Sequence, residues 1–326
     1  MRGKARRGAT VSAVVAALCI ALALALSVWF IASRHAAQNS QRQLVEQAQQ
    51  AARQMPRGAA DEAIEAARAY NQRLAEKGQD ELGSIADPYT ALKLHRVGSG
   101  AVDDGTTDAD AVSNAQGSVS ADDDEYNALL DSGGGIMGAV SIPKIGVSLP
   151  IYHGTSTTVL AAGAGHLYGT SLPVGGESSH AVITAHRGLV SAEMFTRLDE
   201  MNVGDDFSLT VLGKTLNYRV DRIQVVDPDN VEPLKIVAGE DRVTLLTCTP
   251  YGVNTQRLLV SGVRVADGST DSSSAKDSSA MMSRGNALKT AVIVAGFIVL
   301  LGVVYLLVSA VPKTGRSRHA SGRMRL

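Results

Sequence analysis

The chain has 326 residues, room for one large domain or two small ones, and its 31 Lys+Arg nearly balance 32 Asp+Glu. That balance excludes a globally basic nucleic-acid binder. The basic residues are unevenly placed, crowding the two ends beside the only two long apolar runs.

Residues 11–31 carry no charge and, as a helix, suffice to cross roughly 30 Å of hydrocarbon. Arg2, Lys4, Arg6 and Arg7 precede this run, which keeps residues 1–10 on the cytoplasmic side. Residues 289–311 form the second expected transmembrane helix, and Lys313, Arg316, Arg318, Arg323 and Arg325 in the 312–326 tail also favour the cytoplasm. A two-pass membrane protein is expected, with both termini cytoplasmic and residues from about 34 to 288 extracytoplasmic. A cleaved signal peptide is the alternative for the first run. Its apolar core is longer than usual, and Ala32-Ser33-Arg34-His35-Ala36 makes a poor cleavage site, so an anchor is preferred. Cys19 falls in that run and Cys248 in the external region, so no disulfide is expected.

Residues 34–83 are rich in helix formers and predict a membrane-proximal stalk with one weakly docked face, broken at Pro56-Arg57-Gly58. Ile64, Ala67, Asn71 and Leu74 give its second helix a thin apolar stripe, with Gly78 as a C-terminal cap. Residues 84–97 follow, then a Gly-, Ser- and Asp-rich stretch, 98–135, that reads as a flexible acidic linker. Asp122-Asp123-Asp124-Glu125 has no EF-hand spacing, and neither a metal nor a cofactor is expected.

From residue 136 the texture becomes that of strands. Runs at 140–145, 147–152, 181–184, 207–211, 216–220, 223–226, 243–247 and 258–265 alternate or are apolar, and Leu212-Gly213-Lys214 signals a hairpin. Ala192–Glu200 reads as a short amphipathic helix. So many short strands with little helix predict a mainly β domain over 136–266, a closed barrel or a sandwich. Residues 267–288 are Ser- and Asp-rich and read as a flexible tether.

The chemistry concentrates in Val243-Thr-Leu-Leu-Thr-Cys248-Thr-Pro250. Cys248 ends a β-prone run, stands between threonines rather than packing residues, and is the only external cysteine. A thiol becomes a nucleophile when a nearby base or cation favours the thiolate. Of His95, His153, His166, His180 and His186, the last is best placed, because a β-prone run leads into it and a glycine turn follows. Arg257 opens the next run, facing Cys248, where a guanidinium supplies paired donors to a developing oxyanion.

These residues carry a resemblance. Thr244-Leu-Leu-Thr-Cys248-Thr-Pro-Tyr-Gly252 with Asn254-Thr-Gln-Arg257 resembles the signature of sortases, and Ala185-His186-Arg187-Gly188 is similar to their histidine segment. Ile142-Pro143-Lys144-Ile145, Gly163-Ala-Gly-His166-Leu and Thr170-Ser-Leu-Pro173-Val-Gly-Gly176 resemble the class C, pilin-polymerising branch. The resemblance covers about residues 136–266. It implies a closed eight-stranded sortase-type β-barrel with short helices, acting as a cysteine transpeptidase on an LPxTG-like sorting signal. Cys248 would be the nucleophile, His186 the acid and base, and Arg257 the substrate and oxyanion holder. The implied partners are pilin subunits, a lysine amine on another pilin or a cell-wall peptide amine, and the membrane. The resemblance also implies a lid in which Asp87 pairs with Arg257 and Tyr89 covers Cys248, with Pro88 fixing the bend. Gln256 departs from the histidine expected there. A cell-wall-anchoring sortase and a non-catalytic tether for pilus components are the competing readings.

Overall fold

The computed structural model describes residues 2–79, 82, 120–188 and 193–266. Residues 33–272 form one compact unit, and residues 1–32 belong to a second. Helix α1 is Arg2–Gln54 and α2 is Ala59–Lys77. The break falls at Pro56 to Gly58, as the sequence predicts, and Gly78 closes α2 at a left-handed φ of 83°.

Eight strands follow: β1 (Ile136–Ile142), β2 (Val147–His153), β3 (Ala164–His166), β4 (Ser179–Thr184), β5 (Asp206–Val211), β6 (Lys214–Val226), β7 (Asp241–Thr249) and β8 (Gln256–Arg264). They close into a barrel in the order β1-β2-β3-β4-β7-β8-β6-β5, so the expected barrel is the one observed rather than a sandwich. Only β2–β3 and β4–β7 run parallel. The β5–β6 hairpin turns at Leu212 (φ 46°) and Gly213 (φ 80°), two left-handed residues whose twist matches the strands they join. Phe207, Leu209 and Val211 of β5 meet Leu216, Tyr218 and Val220 of β6 inside the barrel.

Strand β7 is buried from Arg242 to Cys248 because both of its faces are covered. Val243 and Leu245 belong to the barrel core. Leu246 joins Val182 of β4 and Leu259 of β8 in a second apolar cluster on the other face, with Leu82, Leu167 and Leu234.

The expected stalk is part of the domain. Ala52, Ile64 and Ala67 pack into the core cluster of the barrel. Asn71, buried on the stripe of α2, donates to the Leu172 carbonyl (3.0 Å) and accepts from the Leu172 amide (2.7 Å).

The acidic stretch also ends earlier than the composition predicts. Asp123 caps α3 (Asp124–Ala128), accepting from the Tyr126 amide at 2.9 Å and from the Tyr168 hydroxyl at 2.9 Å. Tyr126 is fully buried, edge-on to His153 and Tyr168. One capping carboxylate and one buried aromatic thus outweigh a polar composition.

Two further expectations need correction. The helix predicted over 192–200 is a single 3-10 turn, Leu198–Glu200, because Met194 is left-handed (φ 41°) and the Phe195 amide bonds to the His186 carbonyl. The runs 216–220 and 223–226 are one strand, β6, with a register shift between Val220 and Arg222. A short helix α4 (Thr157–Ala162), capped by Ser156, was not anticipated.

The first apolar run is helical within α1. Among the described residues no helix is long and apolar enough to cross a membrane. The second run, the lid segment 84–97 and the tether 267–288 lie outside the described residues.

Replacing Asn71 by Leu would leave the amide of Leu172 buried and unpaired, while its carbonyl still accepts from the Val174 amide (2.8 Å), at a cost of about 1–3 kcal/mol. A lowered urea midpoint is the expected result. An unchanged midpoint would show that α2 is not part of the cooperative unit.

Candidate active site

Strand pairing alone brings three functional groups into one row. In the antiparallel β7–β8 ladder Cys248 is the direct partner of Arg257. On the other side of β7, parallel β4 pairs as far as Thr184 with Leu246, and the Ala185 amide donates to the Leu246 carbonyl (3.2 Å). His186 is therefore the next residue to come alongside Cys248. Side-chain alternation puts Cys248 on the face of Leu246 and Arg257 on the face of Leu259, so the row lies over the outer apolar cluster. Cys248, His186 and Arg257 are 7%, 8% and 4% exposed.

The guanidinium of Arg257 is folded against the turn between β7 and β8. Its Nη1 donates to the carbonyls of Asn254 and Gln256, both at 3.0 Å. That turn is held by the Val253 and Asn254 amides, which donate to the Pro250 carbonyl (3.1 and 2.9 Å).

The histidine segment is fixed as closely. The Thr247 hydroxyl donates to the Ala185 carbonyl (2.8 Å), and Nη1 of Arg187 donates to the Thr249 hydroxyl (2.9 Å). Gly188 is left-handed (φ 83°), and a Cβ there would lie 2.9 Å from the Tyr251 ring, so only glycine fits.

The structure separates the other candidate bases from this row. His153 uses both ring nitrogens on carbonyls, those of Gly135 (3.1 Å) and Leu129 (2.8 Å). His166 meets the Tyr126 hydroxyl (3.0 Å) and the Ser171 carbonyl (2.8 Å). His180, at the opposite end of β4 from His186, meets the Lys235 carbonyl (2.9 Å) and the Thr244 hydroxyl (2.7 Å). These three fasten loops to the barrel. His95, Asp87, Pro88 and Tyr89 lie outside the described residues. Among the described residues no group of three or more His, Cys, Asp or Glu side chains converges as a metal site.

A thiol flanked by an imidazole and a guanidinium, over an apolar floor, suits acyl transfer. The thiolate attacks a carbonyl, the imidazole moves the leaving-group proton, and the guanidinium stabilises charge developing on oxygen. Sequence reasoning singled out these three, which the structure brings together, but not the hydrogen bonds of Thr247, Thr249 and Arg187 beside them. The signal was present in the hydroxyls on both sides of the cysteine.

Comparison with known proteins points the same way. The sortase-domain family model matches residues 140–265. The chain is 30% identical over 128 residues to Sortase A of Streptococcus agalactiae serotype III, covering 38% of this chain and 51% of the relative. It is 27% identical over 136 residues to Sortase A of Bacillus anthracis, covering 42% and 62%. The chain thus spans about half the length of the curated relatives it matches. Among solved structures it resembles sortase C1 of the GBS pilus island 1 at 37% identity and a TM-score of 0.54, covering 73% of this chain and 95% of that one. It also resembles sortase C of Streptococcus pneumoniae at 37% identity and a TM-score of 0.53, covering 69% and 97%.

His166 and His180 lend the barrel a pH dependence. Burial lowers both from the ordinary 6.5 to about 4. As the pH falls below 6.5 the unfolded chain takes up these protons before the folded one does. Their contribution is therefore complete above about 6.5 and lost progressively towards 4. The urea midpoint should drop over that window, and in a His180→Gln variant the drop should be smaller. A pH-independent midpoint would contradict the neutral, buried state of both rings.

Proposed function

This chain belongs to the sortase family, and we propose that it is a membrane-anchored, pilin-polymerising transpeptidase of the class C type. Cys248 attacks the Thr–Gly carbonyl of an LPxTG-like sorting signal; a C–S bond forms and the C–N bond breaks. The leaving glycine amine takes a proton from the His186 imidazolium. A lysine amine of another pilin subunit then attacks the thioester, a C–N bond forms, the C–S bond breaks, and His186 accepts the amine proton. Arg257 holds the substrate and stabilises the oxyanion in both steps.

The observation that carries this reading is the direct pairing of Cys248 with Arg257, with His186 next along the adjacent strand. The class is supported by coverage. Similarity to the solved class C enzymes extends over 69–73% of the chain, whereas the curated Sortase A relatives match 38–42% of it. The first of those solved relatives belongs to a GBS pilus island, and the structure of the second bears on pilin substrate specificity.

Membrane attachment is supported by the first apolar run, which is helical within α1 and where Leu22, Leu26, Trp29 and Phe30 all stand exposed. Such a surface suits lipid rather than water. With both basic tails cytoplasmic, the barrel faces the extracytoplasmic side. Asp87, Pro88 and Tyr89 are proposed as a lid over the Cys248–Arg257 row. The curated relatives keep a second reading in play, attachment of single surface proteins to peptidoglycan.

A Cys248→Ala variant should abolish high-molecular-weight pilin ladders when supplied with a pilin bearing an LPxTG-like tail. Ladders of normal intensity would refute the enzyme reading. Ladders that require a cell-wall amine, and fail with pilin alone, would favour the second reading.

For the lid, Asp87→Ala or Tyr89→Ala should raise the rate at which a thiol reagent labels Cys248 in a Cys19→Ser chain. Equal rates would mean that this segment does not cover the thiol.

A further inference from the structure

We infer that Arg187 is a positioning residue: through the hydroxyl of Thr249 it fastens the segment carrying His186 to the strand end carrying Cys248. The inference rests on the acyl-transfer reading of the site, but its geometric basis is independent of any substrate.

Backbone pairing of β4 with β7 ends at Thr184 and Leu246, so beyond Ala185 no ladder holds the two segments together. Side chains take over there. Residues just before the two functional groups are joined by the Thr247 hydroxyl on the Ala185 carbonyl, at 2.8 Å. Residues just after them are joined by Arg187 Nη1 on the Thr249 hydroxyl, at 2.9 Å. His186 and Cys248 each sit between two anchored neighbours.

The guanidinium does more than touch Thr249. Its Nη2 pairs with Asp199 on the Leu198–Glu200 turn, so one side chain spans three segments: the histidine loop, the thiol strand and that turn. The Arg187 side chain is only 8% exposed, while Asp199 is 51% exposed. Withdrawing a cation from water into a pair with a half-exposed carboxylate is poor value for stability. A planar fork that reaches two fixed acceptors is good value for geometry. A lysine would reach one acceptor at a time.

Loosening this link lets the imidazole drift relative to the thiol. Misplacement of reacting groups by about 1 Å costs on the order of a hundredfold in rate. The loss should fall on kcat and leave KM unchanged, because neither Arg187 nor Thr249 is assigned to substrate binding.

The test uses the full chain carrying Cys19→Ser, in detergent, with Thr249→Val, Thr249→Ser, Arg187→Met and the Thr249→Val/Arg187→Met double variant. Val is close to isosteric with Thr, so the fold is retained. Two readouts are taken: turnover of an LPxTG-containing peptide, and the alkylation rate of Cys248 by iodoacetamide, which needs no substrate. Thr249→Val and Arg187→Met should each lower kcat roughly ten- to hundredfold at constant KM and slow alkylation. The double variant should be no worse than Arg187→Met alone, since that change already breaks both the Thr249 bond and the Asp199 pair. Thr249→Ser, which keeps the hydroxyl, should restore both. Multiplying losses in the double variant, or a Thr249→Ser enzyme as poor as Thr249→Val, would overturn the inference. Wild-type chain inert towards the peptide, with the alkylation pattern intact, would overturn the sortase-substrate reading and leave the positioning role standing.

Discussion

The register of β7 between β4 and β8 is the constraint on which the rest of this structure depends. Side chains alternate along a strand, so a slip of one residue in β7 would turn Cys248 into the barrel and take Leu246 out of the outer cluster. Register is secured because β7 is sorted on both faces: Val243 and Leu245 fit only the interior, Leu246 only the outer cluster. The hydrophobic effect on two faces thus fixes the position of a thiol that takes little part in packing.

The surrounding elements convert that row into a sheltered site. The segment after β6, through Leu234, packs onto the outer face of the sheet together with Leu82 from beyond α2. Gln79 ties the same regions by polar contacts, donating to the Gly169 carbonyl (3.1 Å) and accepting from the Ile236 amide (2.6 Å). Around the barrel, Tyr126 with His153, His166 and Tyr168 forms a second polar-aromatic anchor that pins α3. Buried histidines here serve construction. His186 stands apart from these anchors, just past the end of β4 and alongside Cys248.

Much of this was legible in the sequence because the signals are local. The Leu212-Gly213 turn, the Pro56–Gly58 break and the alternation of β5 depend on neighbours in the chain, and they appear as expected. The Cys248–Arg257 pair was legible because a short turn joins antiparallel strands whose register follows from its length. What was misread depends on distant partners. Asp123 and Tyr126 look like linker until Tyr168 and His166 are placed beside them. Ile64 and Ala67 read as a weakly docked stripe, and how fully they enter the core follows only from the barrel beside them. The 192–200 segment has helical periodicity, but the amide of Phe195 is claimed by His186. Thr247 and Thr249 were noticed as unusual flanks, yet their partners Ala185 and Arg187 come from the segment after β4, remote in sequence.

The central claim is that the strand-end row performs acyl transfer through the thiol. It is tested most directly by mass spectrometry of the intact chain after incubation with an LPxTG-containing peptide and no acceptor amine. The account predicts a covalent adduct on Cys248 with the mass of the peptide cut after threonine, discharged when an amine is added. An adduct at another residue, or none under conditions where the peptide is cleaved, would contradict it.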